Sequence, residues 1–309
     1  MPLLTDMLRC QRQWKRCLVI DMREDFCCFI LSHGRADRIY TLQSLEKCNY
    51  KGKWYIVIDN EDKTAKEYYK RYGDRVLMFD KEAISKTFDT ADLEQNRKTI
   101  VYARNACFDL ARQVGVKYFC ELDDDYTGFY RRYEKNGKLL TNHITDFDAV
   151  CDLMIDFLEE SGAKTVAFAQ AGDLIGGKDG SKWKERLLRK AMNSFFCSVD
   201  RPFQFVGRIN EDVNTYTSRS QRGDLFLTVC DIALVQKQTQ SNKSGMSDVY
   251  IDGGTYLKSF YTILFSPSCT KIAMMGSSHK RIHHQVDWEA CAPMILNECY
   301  KKRSEMNAE

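Results

Sequence analysis

Apolar and polar residues alternate along Val116, Tyr118, Cys120 and Leu122, which predicts a strand with these four on one face, and that strand runs directly into Asp123, Asp124 and Asp125. Three upstream runs share the plan. Phe26–Leu31 is continuously apolar and ends at Ser32-His33-Gly34-Arg35, Trp54–Ile58 ends at Asp59-Asn60-Glu61-Asp62, and Arg75–Phe79 ends at Asp80. Between them, residues 36–47 and Thr64–Tyr72 read as helices, and Ile100, Ala103, Cys107, Leu110 and Val114 mark a third at helical spacing. Strands alternating with helices predict an α/β fold, an open and mostly parallel twisted sheet flanked by helices. Ligands of such sheets bind beyond the carboxyl ends of the strands. Four polar or acidic strand ends therefore predict one crevice. Thr165–Ala169 reads as a further strand in the second half.

The chemistry of that crevice follows from its charge. Three consecutive carboxylates repel one another unless solvent or a cation neutralises them. Mg²⁺ and Mn²⁺ take oxygen ligands of this kind, often together with substrate phosphates; the alternative is an acidic loop facing solvent. Glu211 and Asp212 precede a stretch of helical length, where they either cap the helix or supply a carboxylate that takes a proton from an attacking hydroxyl. Three of the five histidines fall within residues 279–284, where imidazole suits a transition metal and Lys280 and Arg281 suit phosphate oxygens, unless the cluster is simply a basic surface. Residues 178–190 hold six Lys or Arg against two acids, and Arg201, Arg208, Arg219 and Arg222 follow with Phe203, Phe205 and Tyr216 interleaved. That mixture suits a phosphate-bearing partner, or else the solvated face of a helix. The Gly176–Gly180 stretch has no phosphate-loop spacing.

Composition changes this picture little. The 309 residues, 44% of them hydrophobic, suffice for one large core or two smaller ones. No apolar run is long enough to span a membrane and no signal pattern opens the chain, so a cytoplasmic protein without a membrane partner is expected. Thirteen cysteines, none in a Cys-x-x-Cys arrangement and two adjacent at Cys27 and Cys28, predict buried thiols rather than a disulfide scaffold or zinc finger. A net charge of +3 does not by itself indicate nucleic acid.

An alternating α/β half ending in Asp-x-Asp, a later acidic pair and a late histidine together resemble the GT-A glycosyltransferases. More narrowly, the segments Ser32–Arg35, Cys120–Tyr126, Met192–Phe196, Arg201–Tyr216 and Arg281–His284 resemble the TET-associated glycosyltransferases of phages, relatives of the enzymes that glucosylate hydroxymethyluracil to make base J. The resemblance spans about residues 26–290. It implies a Rossmann-like GT-A domain over 26–309, with a nucleotide-sugar and metal half (26–135), an acceptor half (136–270), a closing segment (271–309) and an N-terminal extension (1–25). Ser32, His33, Gly34 and Arg35 would lie under the nucleotide, Asp59 near its base or ribose, and Arg104 and Asn105 facing the sugar nucleotide. Asp123 and Asp125 fit Asp-x-Asp, with Asp124 able to replace either, and His283 or His284 would complete the metal shell. Asp212 matches the catalytic base, with Glu211 beside it.

The implied reaction is an inverting, Mn²⁺- or Mg²⁺-dependent transfer from a UDP-sugar to the hydroxymethyl group of 5-hydroxymethylcytosine, or a related 5-hydroxymethylpyrimidine, in double- or single-stranded DNA. Lys182, Lys184, Arg186, Arg201 and Arg208 would contact the phosphates. The main alternative keeps the enzyme and makes the acceptor a protein or glycan. Further alternatives are a metal-dependent phosphoryl transferase or nuclease, and a non-catalytic nucleic-acid-binding module. For a phage-encoded enzyme the cytoplasm is that of the host cell.

Overall fold

Phe26–Leu31 forms the buried strand β1, and its neighbours explain why every one of its side chains is apolar. It pairs in parallel with β2 (Lys53–Asp59) on one side and β4 (Tyr118–Asp123) on the other, with helices covering both faces. The computed structural model describes residues 23–91, 97–174, 177–237, 257–275 and 280–293. The other strands of the main sheet are β3 (Val76–Phe79), β5 (Tyr126–Lys135), β6 (Lys138–His143), β7 (Thr165–Gln170), β8 (Leu187–Leu188), β9 (Phe195–Ser198) and β10 (Phe226–Gln236). Their order is β3-β2-β1-β4-β9-β7-β10-β5-β6, with β8 beside β10. The fold is mixed α/β with a large, mostly parallel central sheet. Strands β5, β8 and β9 run against the rest.

The helices are α1 (Tyr40–Lys47), α2 (Ala65–Tyr72), α3 (Lys81–Ser85), α4 (Val101–Gln113), α5 (Phe147–Ser161), α6 (Ser181–Glu185) and α7 (Glu211–Ser220). Two cores sandwich the sheet. On one face α5 inserts Phe147, Val150, Met154 and Leu158 among Phe129, Phe168 and Phe196, with the Phe129 and Phe147 rings 4.6 Å apart. Each fully buried side chain of this kind contributes about 1.5–3 kcal/mol. On the other face α4 inserts Tyr102, Ala106, Cys107 and Leu110 against Phe119, Phe195, Phe205 and Val213. The ten cysteines among the described residues are buried free thiols. No helix of the described residues is long and apolar enough to cross a membrane.

Some expected elements differ. The helix expected over 36–47 starts only at Tyr40, because Arg38 N–H closes a turn onto the Arg35 carbonyl first. Val116 lies outside β4 and packs with Phe119 in the opposite core from Tyr118, Cys120 and Leu122. The basic stretch 178–190 is not one helix face: α6 ends at Arg186, which is left-handed (φ 60°), and the chain turns into β8. A second sheet pairs β11 (Thr270–Met275) with β12 (Arg281–Val286); Trp288, just beyond β12, stacks its ring 5.6 Å from Tyr216 of α7. Of the expected extension 1–25, residues 1–22 lie outside the described residues; so do the Gly176 end of the Gly-rich loop and the His279 member of the histidine cluster.

Candidate active site

Strands β1, β2, β3 and β4 end in register, since Leu31 faces both Val57 and Asp123 and Asp59 faces Phe79. The side chains that follow β1 and β2 therefore meet those at the end of β4. Ser32 Oγ donates to Asp124 at 2.6 Å, and Arg35 Nη1 lies 3.2 Å from the same carboxyl. The Asp-Asp-Asp turn is fixed by α1, whose Thr41 N–H donates to the Asp124 carbonyl at 3.2 Å and whose hydroxyl accepts from Tyr126 N–H at 3.0 Å. Burial raises Asp124 to about 6 even though Arg35 and Ser32 pull it down. Asp125 has no side-chain partner among the described residues. Burial, then the charges of Asp123 and Asp124, push it up to about 7.

One strand over, His33 Nδ1 sits 2.7 Å from Asp59, and the buried Lys81 lies 3.3 Å from the same oxygen. Burial alone would raise Asp59; His33 and Lys81 hold it below the ordinary aspartate range. Gly34, with φ 69°, turns its N–H onto Asp62 at 2.7 Å. Tyr68 completes the floor: its hydroxyl is 2.7 Å from Ser32 Oγ and accepts from Arg35 N–H. Asp62, Tyr68 and Lys81 belong to no motif; the acid run 59–62 hinted at the first alone. Asp80 does not face the crevice, because its carboxylate caps α3 by accepting from Ala83 N–H at 3.0 Å.

Arg104 joins the two halves of the site. It is 2% exposed, and its guanidinium reaches Asp123 at 3.0 Å, Glu211 at 3.2 Å and Glu121 at 3.4 Å, with its carbon 4.7 Å from the centre of the Phe195 ring. Burial disfavours its charge, but the Asp123, Glu211 and Glu121 carboxylates raise its pKa beyond the ordinary arginine value. Burial raises Glu121 to about 8, and burial with the neighbouring Asp212 charge raises Glu211 to about 7. Arg104 thus turns inward to carboxylates rather than toward a sugar nucleotide. Asn105 does the same, exchanging two hydrogen bonds with the Phe205 backbone at 3.0 and 2.8 Å.

The acidic pair begins α7. Glu211 is committed to Arg104, whereas among the described residues Asp212 accepts only from Val213 N–H, at 2.7 Å, and burial raises its pKa. The bend that delivers it needs Gly207, where φ is 82° and a Cβ would run into the Asn214 amide and lie 2.7 Å from the Phe265 ring. Asn210 donates to the Lys258 carbonyl at 2.6 Å, tying α7 to the helix over residues 257–265.

His284 lies 3.5 Å from the Asn210 amide, beside the start of α7, and burial with its neighbours His283 and Lys258 lowers it to about 4, so it is neutral. His283 Nδ1 is 2.7 Å from the His284 carbonyl. The expected set of Asp123, Asp125 and a histidine is not assembled: among the described residues no three His, Cys, Asp or Glu side chains stand close enough to hold a metal by themselves.

The expected phosphate contacts separate. Arg208 is 1% exposed and cannot reach a surface ligand. Arg201 grips Glu159 at the far end of the sheet, because β9 runs antiparallel to β4 and carries the chain away from the acids. Arg186 pairs with Asp231 and stacks 3.7 Å over Trp183, and Lys184 is exposed. The side chain of Lys182 lies outside the described ones.

The family model of the TET-associated glycosyltransferases matches residues 26–245. No curated protein matches the chain. Among solved structures, glucosyl-3-phosphoglycerate synthase from Mycobacterium tuberculosis in complex with Mn²⁺ and UDP-glucose is 8% identical, with a TM-score of 0.45 over 85% of this chain and 87% of that one. A mycobacterial protein is 7% identical, with a TM-score of 0.44 over 85% and 84%. TarS 1–349 of S. aureus is 12% identical, with a TM-score of 0.37 over 68% and 59%.

Proposed function

The chain belongs to the TET-associated glycosyltransferase family, and from that premise we propose that it moves a sugar from a UDP-sugar to the hydroxymethyl group of 5-hydroxymethylcytosine, or a related pyrimidine, in DNA. The observation that carries the reading is the Arg104 junction, which brings Asp123 at the end of β4 and Glu211 at the start of α7 to one guanidinium. In this reading the acids at the end of β4 belong to the donor and the carboxylate pair of α7 to the acceptor, as a displacement reaction of the GT-A type needs.

In this reading Ser32 and Arg35 hold the donor diphosphate, and His33, Asp59 and Lys81 orient its uridine. Asp212 accepts the proton of the acceptor hydroxyl. The hydroxyl oxygen forms its bond to the anomeric carbon as the bond from that carbon to the diphosphate oxygen breaks, so the sugar is inverted and UDP leaves. A hard cation fits the residues present, because Asp125 is a half-buried carboxyl without a side-chain partner among the described residues, and the Asp123 and Asp124 charges crowd it. Asp123 and Asp125 would hold Mn²⁺ or Mg²⁺ together with donor phosphates, and the ion would offset charge growing on the leaving diphosphate.

The test is mass spectrometry of nucleosides from hydroxymethylcytosine DNA incubated with the protein and a panel of sugar nucleotides, with and without chelator. A new glycosylated nucleoside is expected in the presence of Mn²⁺ or Mg²⁺ only, and Asp125→Ala should abolish it. Full transfer in excess chelator would discard the metal. Labelling of a protein or glycan in place of DNA would discard the acceptor.

A further inference from the structure

The net positive charge of this chain is concentrated in two segments that the fold brings side by side. Residues 131–138 and 178–190 together hold ten Lys or Arg against three acids, whereas the whole chain carries only +3. The first is the tip of the β5–β6 hairpin, and the second contains α6. They touch where Lys178 approaches Gly137, and between them lies a groove of about 320 Å³ lined by Glu134, Lys178, Asp179, Trp183, Lys184 and Arg186. The groove is far from the acid crevice. Tyr126 adjoins Asp125, and Glu134 lies eight residues along β5, roughly 26 Å at the rise of an extended strand.

We propose that the β5–β6 hairpin and the α6 segment form a backbone-binding track that holds duplex DNA by its phosphates, away from the base being modified. This rests on the DNA reading above and adds a surface to it. The chemistry favours a long polyanion over a small phosphate ester. The partly buried cation of the groove is already committed, Arg186 to Asp231, and Lys178 lies 3.2 Å from Asp179, so no pocket of unpaired charge awaits a small ligand. Among the other cations Lys135, Lys138, Lys184 and Arg189 are exposed; Lys135 and Lys138 face each other across the tip of the β5–β6 hairpin, and Lys184 and Arg189 lie on the neighbouring segment. Exposed cations of that kind contact backbone phosphates and position a duplex without reading its sequence. At about 3.4 Å per base pair, the track would engage phosphates about eight base pairs from the flipped or exposed base.

The experiment compares the full chain with a double variant, Lys135→Gln plus Lys138→Gln. Neither residue lies near the crevice, so transfer to a hydroxymethylated trinucleotide should be unchanged and reports an intact enzyme. Affinity for an unmodified duplex extending about ten base pairs to each side is measured by fluorescence anisotropy across a salt series. The variant should bind more weakly at low salt, and the slope of log K against log salt should shrink by about two. Unchanged affinity and slope, with hydroxymethylated DNA still labelled, would overturn the track while leaving the DNA reading in place. Absence of both duplex binding and DNA labelling in the unsubstituted protein would overturn the reading, and the track with it.

Discussion

Replacing Asp212 by asparagine is expected to lower turnover about 10²–10⁴-fold, the usual contribution of a general base, while donor affinity stays near its original value. The amide oxygen keeps the 2.7 Å hydrogen bond from Val213 N–H, so the start of α7 should hold its shape. What is lost is the ability to take a proton. The other oxygen of Asp212 has no partner among the described residues, and burial raises its pKa, which makes the carboxylate a better proton acceptor. Because a base must be ionised, kcat/KM of the original enzyme should rise with pH through the Asp212 pKa, and the variant should lack that limb. Glu211 cannot exchange roles with Asp212 freely, since it is already bound to Arg104. Steady-state kinetics with calorimetric donor binding decide the matter. Near-normal turnover would reduce Asp212 to a helix cap. Lost donor binding in a folded variant would make it a ligand and Glu211 the base.

The first half of the fold was legible because β1 and β4 are buried on both faces and these strands, with β2, stop at polar residues, so Phe26–Leu31, Trp54–Ile58 and the run into Asp123 announce the elements and the strand ends where their polar side chains meet. The same clarity ends where a side chain's role depends on a distant partner. Arg104 sits at a helical spacing that says nothing of Glu211, 107 residues away. Lys81 follows a strand end and reads as a surface lysine, yet it is buried against Asp59, and its N–H donates to Asn60 just beyond β2 at 3.0 Å. Arg201 and Arg208 look alike in a basic, aromatic stretch. One sits at the far end of the sheet because β9 reverses, and the other is buried, and neither fact has a local signature. His284 lies 3.5 Å from Asn210 at the start of α7, a neighbour 74 residues away that two adjacent imidazoles on a strand do not announce.

Arg104→Ala is expected to cost about 3–5 kcal/mol of stability, the usual loss when one member of a buried ion cluster is removed and the others remain. Three carboxyls, Glu121, Asp123 and Glu211, would then share a buried space without their cation. The pH dependence of that loss separates this cause from a simple cavity. Glu121 at about 8 and Glu211 at about 7 both lie above the ordinary glutamate value of 4.5. A carboxyl raised by folding binds its proton more tightly in the native state, so its stabilisation is complete below about 4.5 and is lost as pH climbs through the folded value. Removing Arg104 removes the attraction that opposes this rise, which extends the loss to still higher pH. The deficit of the variant against the original protein should therefore be smallest near pH 4.5 and largest above pH 8, read by urea denaturation at each pH in chelator. Arg104→Lys keeps the charge but not the three-way fork, so it should recover part of the stability while leaving kcat depressed and donor KM little changed. A deficit independent of pH would mean that the guanidinium only fills space beside Phe195. In that case the two halves of the site would be held together by the packing of α4 and α7 alone.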